Sequence, residues 1–184
     1  MKLTSILATL AAFVTLTGCE SPGPALGSLE PVATAKETAI DPTLLGTWEE
    51  QGDKDLVAFI RQGDHGGYQI AVLTGMSANS SVMTFQAQLF HVGDADFLDL
   101  APSDANDFRI PGHAIMRLWI NAGALRWAFL DSDWLKQQTT ALATHDCDGR
   151  MQLFSPSATV RAFIAANGAN DKAYGNVAAW QKVP

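Results

Sequence analysis

The chain has 184 residues, with 12 Lys+Arg against 19 Asp+Glu and a net charge of −7. That balance leaves no electrostatic footprint for nucleic acid or for anionic lipid headgroups, so neither is an expected partner. Acidity of this size serves solubility and names no substrate, and no cofactor is expected.

The first predicted element is a leader. Lys2 gives a positive start, Leu3 to Leu16 form an apolar run, and Thr17 and Gly18 lead to Cys19. The run is too short to cross a bilayer and no stop-transfer pattern follows it. Leu16-Thr17-Gly18-Cys19 resembles the lipobox of bacterial lipoproteins. The resemblance implies removal of residues 1–18 and a diacylglycerol thioether on Cys19. It also implies an acylated (palmitate-type) amino terminus, so the acyl chains are the expected membrane partner. Two or more acyl chains anchor stably where one holds only marginally. Glu20 stands where an Asp would favour the inner membrane in enterobacterial lipoproteins. The resemblance therefore places the protein on the outer membrane, facing the periplasm.

Residues 19–41 read as the lipidated cysteine and a linker. From Ser21 to Pro42 the chain carries four of its eight prolines and few large apolar residues, a composition that favours a semi-extended tether. Val32 to Ile40 could instead dock as an arm. Residues 42–184 are one domain's worth of chain, with no internal repeat. Once Cys19 is lipidated, Cys147 has no internal disulfide partner and is read as a small buried residue.

Within the domain, turn signals separate short strands. The predicted strands are Leu44–Glu50, Leu56–Arg61, Tyr68–Thr74, Val82–His91, Phe97–Leu100, His113–Asn121 and Ala124–Leu130. Val82–His91 is the clearest, with Met83, Phe85, Ala87 and Leu89 on one face and Thr84, Gln86 and Gln88 opposite. Period two over this length marks a half-buried antiparallel strand. Asp131 or Ser132 then caps a helix whose apolar members include Trp134, Leu135, Ala141 and Leu142. Arg150–Phe154 reads as an eighth and last strand. Ser155-Pro156 opens a second helix with Val160, Phe163 and Ile164 as its buried stripe, ended by Asn167-Gly168. Residues 169–184 read as a tail pinned by Trp180.

The fold class is thus mainly β: an antiparallel barrel of seven or eight strands with two short C-terminal helices. Gly46-x-Trp48 resembles the opening motif of lipocalin-like barrels. That resemblance implies a tryptophan closing one barrel end against an arginine, a role for Arg126 or Arg117. The two late helices depart from the lipocalin pattern.

Candidate site residues form four groups. Asp94, Asp96 and Asp99 crowd around Phe97, but without EF-hand spacing, and strand alternation puts Asp96 and Asp99 on opposite faces. Asp104, Asn106 and Asp107 occupy a proline-bounded loop, where such residues also simply make turns. His145-Asp146-Cys147-Asp148 holds zinc-ligand types without a second pair at metal spacing, and His65, His91 and His113 are scattered. No metal site or catalytic residue is assigned from these. Trp48, Tyr68, Phe85, Trp119 and Trp127 line a cavity or fill a core, because an eight-stranded barrel sits at the size where either occurs. The expected function is a non-enzymatic binding module for a small apolar ligand or an envelope component, with Met83, Phe85 and Leu89 facing the cavity. The alternatives are a structural or protein-interaction module of the envelope, and a hydrolase with an unrecognised site.

Overall fold

The computed structural model describes residues 26–184 apart from 35, 37–39, 64–65, 76–79, 104–111, 122, 139–141 and 148–149. The leader, Cys19, His65 and the Asp104/Asn106/Asp107 loop lie outside the described residues, as do the expectations for the Cys147 and Asp148 side chains.

The first described strand, β1 (Leu26–Ser28), lies outside the barrel. The seven turn-separated strands of the sequence follow as β2 (Gly46–Glu50), β3 (Asp53–Gln62), β4 (Tyr68–Thr74), β5 (Ser81–Val92), β6 (Ala95–Pro102), β7 (Ala114–Asn121) and β8 (Ala124–Phe129). Each pairs antiparallel with the next. Then come α1 (Ser132–Gln137), β9 (Thr144–Cys147), β10 (Arg150–Leu153), α2 (Ser157–Asn167) and β11 (Ala178–Lys182). β11 pairs with both β8 and β2 and completes a closed, eight-stranded, up-and-down antiparallel barrel, the architecture of lipocalin-like barrels. Closure satisfies every edge, which an open sheet of these strands would leave exposed.

The eighth barrel strand is therefore Ala178–Lys182, in the segment expected to be a tail. Arg150–Leu153, expected to fill that place, joins a separate three-stranded sheet ordered β1-β10-β9, with β1 parallel to β10. Its side chains explain the difference. Met151 and Leu153 are buried in an apolar cluster outside the barrel, whereas Trp180 is buried in the cluster within it.

Two apolar cores result, one on each face of the same wall. The outer faces of β5 to β8 contribute Phe90, Phe97, Ile115 and Ala128. Phe90 and Phe97 are register partners and stack with centroids 5.4 Å apart. Over them lie Leu135 of α1, the Val160, Phe163 and Ile164 stripe of α2, and Met151 and Leu153 of β10. Burying each such side chain stabilises the fold by about 1.5–3 kcal/mol. Tyr174 completes the layer and donates its hydroxyl to Gly168 O at 2.9 Å. Burial pushes its phenol up to about 12, against the opposing pull of Arg117.

Part of the expected linker belongs to this outer core. β1 docks on β10, and Val32 and Ala33 are buried. Their backbone N–H groups donate to Asp99 Oδ2 at 2.5 and 2.9 Å, while Asp99 Oδ1 pairs with His113 Nδ1 at 2.7 Å. Ser28 and His113 exchange backbone hydrogen bonds of 2.7 Å in each direction. A carboxylate buried on the outer wall has to be met by donors, and the arm supplies them.

The helices are shorter than the sequence pattern. Asp131 caps α1, its Oδ1 accepting from Trp134 N at 2.6 Å, but the helix ends at Gln137 and Leu142 is buried beyond it. Ser155 does not cap α2. Its hydroxyl accepts from Ala143 N at 2.7 Å instead, so α2 begins at Ser157 after Pro156.

Candidate functional site

Antiparallel alternation gives the barrel two ends. One is framed by the β3–β4, β5–β6 and β7–β8 turns, and the other by the β2–β3, β4–β5 and β6–β7 connections together with the β8 exit.

The first end is closed. A 3₁₀ turn, Pro42–Leu44, lies across it with Leu44 fully buried. Trp48 beneath it donates its indole N–H to Leu44 O at 2.9 Å. Asp41 N donates to the Tyr68 hydroxyl at 2.7 Å. Lys182 Nζ stands 5.5 Å from the Trp48 ring centroid and donates to Thr43 O at 3.1 Å. The cation over Trp48 is therefore Lys182, from the closing strand, and not Arg126 or Arg117. Alternation turns both arginines outward, and Arg117 lies 4.4 Å from the Trp119 ring and 4.9 Å from the Tyr174 ring. Gly67 turns the chain at this end with φ +82°, and a Cβ there would collide with the Ala87 carbonyl.

The other end is hollow. A cavity of about 210 Å³ opens among the inward side chains of all eight strands. Its walls are Trp48 and Trp180 on β2 and β11, Leu56, Ala58 and Ile60 on β3, and Ile70, Val72 and Thr74 on β4. Met83, Phe85, Leu98, Leu100, Ala114, Met116, Leu125, Trp127 and Phe129 complete them. The Thr74 hydroxyl is the one side-chain oxygen among the described residues of this wall, and it is bonded to Ser81 Oγ at 2.6 Å. The Trp180 indole N–H is buried without an acceptor among the described residues. Among the described residues no lining side chain is an acid, a base or a thiol. An apolar cavity of about 150 Å³ stays dry and admits benzene, so this one has room for a single ring or a short chain.

At the mouth a second pocket, of about 430 Å³, shares Trp127 and Phe129 with the cavity. Its other walls include Glu50, Asp131, Ser132 and Asn176. Glu50 is the register partner of Trp180, so the two side chains leave the same face of the sheet. Burial pushes the Glu50 carboxyl above its ordinary value, and the nearby Asp53 charge adds to that.

The predicted site residues divide between these places. Met83 and Phe85 line the cavity, while Leu89 is packed into the filled part of the inner core. Trp48 and Trp127 line the cavity, Tyr68 belongs to the closed end, and Trp119 lies outside against Tyr174. The acidic cluster separates as alternation requires. Asp96 pairs with His91 at 2.6 Å, and Asp99 is buried under the arm. His145 is exposed, its ring 6.3 Å from Phe154. Among the described residues no three His, Cys, Asp or Glu side chains converge as a metal site would need. Glu50 was not singled out from the sequence. Its position two residues after Trp48 on one strand was the available signal.

No protein-family model, no curated protein and no solved structure matches the chain.

Proposed function

We propose that this protein is a lipoprotein of the bacterial envelope, held on the outer membrane through acyl chains on Cys19 and facing the periplasm. Its barrel acts there as a non-enzymatic binding module for a small apolar ligand. The observation that carries this reading is the hollow half of the barrel. An unfilled apolar cavity forfeits dispersion contacts along its whole lining, and a ligand restores them. The described lining is shape and apolar surface, without an acid, a base or a thiol among the described residues, and such a lining suits binding of an apolar molecule.

Native mass spectrometry of the full chain purified from envelopes tests the ligand. An adduct lost on denaturation names its mass class, and a bare mass under gentle ionisation counts against a resident ligand. Incorporation of labelled palmitate, lost in Cys19→Ser, tests the anchor.

A second reading rests on a different face. The outer surface of β3, β4 and the start of β5 carries the exposed apolar residues Phe59 and Val82, 47% and 59% exposed, away from the outer layer that covers Phe90. Such a patch suits contact with another envelope component. Cross-linking from position 59 that traps one specific protein would favour this interaction role.

A further inference from the structure

The mouth of the cavity carries chemistry that the cavity does not. Of the described residues around the adjoining pocket two are carboxylates, Glu50 and Asp131, and none is Lys, Arg or His. Asp131 spends one oxygen on the α1 cap. The Glu50 carboxylate makes no ion pair and no hydrogen bond among the described residues, although it emerges beside Trp180 at the rim. A half-buried carboxylate without a partner is a cost to the folded protein, and a cation placed beside it would remove that cost. The Trp127 and Phe129 rings flank the same space, and aromatic faces attract a cation within about 6 Å of the centroid. An apolar chamber followed by aromatic walls and then unpaired negative charge is complementary to one kind of molecule.

Resting on the reading of the cavity as a ligand site, we propose that its occupant is a small amine. The apolar body lies among the barrel side chains, and the ammonium head stands at the mouth against Glu50, with Asp131 as the second carboxylate. The cavity's 210 Å³ holds a ring or a short chain and not the paired long chains of a membrane lipid. The amine is therefore a free molecule and not a lipid headgroup.

The test compares hexylamine, 1-hexanol and hexanoate on the full chain, by calorimetry and by the fluorescence of the cavity tryptophans. A charge-assisted hydrogen bond predicts hexylamine binding roughly tenfold more tightly than hexanol, with hexanoate weakest. Glu50→Gln should bring hexylamine to the hexanol level and leave hexanol unchanged, which also shows that the variant is folded. Ala58→Leu, which fills the cavity, should abolish all three. Hexylamine binding no tighter than hexanol, or hexylamine affinity unmoved by Glu50→Gln, overturns the amine and leaves the apolar cavity reading standing. Hexanoate binding tightest also overturns it, and points to an acceptor group drawn to the free Trp180 N–H. Binding of none of the three at millimolar concentration removes the amine and the ligand cavity together.

Discussion

The two ends of the barrel are made by the same strands with the same alternation, yet one is filled and the other is hollow. At the closed end, aromatic side chains are held by polar handles. Trp48 bonds to Leu44, Tyr68 to Asp41, and Lys182 bridges ring and backbone. At the open end the inward residues are of comparable size, including Met83, Phe85 and Trp127, but among the described residues no segment lies across them as Pro42–Leu44 does at the other end. The contrast shows that barrel interiors are closed by what lies across their ends as much as by the residues within. Among the described residues, a 3₁₀ turn of three residues is what distinguishes the filled end from the hollow one.

That contrast can be broken at either end. Trp48→Ala should be the most damaging, destabilising the barrel by about 3–5 kcal/mol in denaturant unfolding. It removes the largest buried side chain and leaves the Leu44 carbonyl and the Lys182 ammonium without it. Asp99→Ala comes next, at about 2–4 kcal/mol, because two buried arm N–H groups lose their acceptor. Early amide exchange and proteolysis confined to residues 26–34, with the barrel intact, would mark this as an effect on the outer wall alone. Ala58→Leu works in the opposite direction. Filling the hollow end should raise stability by about 0.5–2 kcal/mol while abolishing ligand binding; a loss of stability there would show that the end is already packed. The smallest effect belongs to Glu50→Gln. A carboxyl whose folded pKa is raised gives stability that is present at low pH and lost as the pH rises through the folded value. The variant should therefore melt about 1–2 °C higher than the parent at pH 7 and match it below about pH 4.

Legibility differed between the barrel and its jacket. The seven strands from Thr47 to Phe129 stand in the sequence because their alternation is local, and each turn carries its own signal in glycine, asparagine or aspartate. β11 was missed because Ala178–Lys182 is short and weakly alternating; only its place between β8 and β2 makes it a strand. The arm stood in the sequence only as an alternative to a linker, over Val32 to Ile40, for a similar reason. Leu26 to Ala33 has linker composition, and what orders it is a carboxylate 66 residues away. The cavity walls on β4, β5, β7 and β8 were readable as inward faces, while Trp119 and Leu89 show that strand parity alone does not say which inward or aromatic residue borders empty space.

The sequence by itself determined a net acidic chain and an antiparallel barrel, since composition, hydrophobic period and turn chemistry can be read from the chain and its neighbouring residues. Only the tertiary structure decided that residue 178 onward closes the barrel, that the arm is clasped by Asp99, and that one end is plugged and the other hollow with Glu50 at its rim. Those outcomes depend on which distant segments pack against each wall, and close packing between segments far apart in the chain leaves no trace in any local stretch of it.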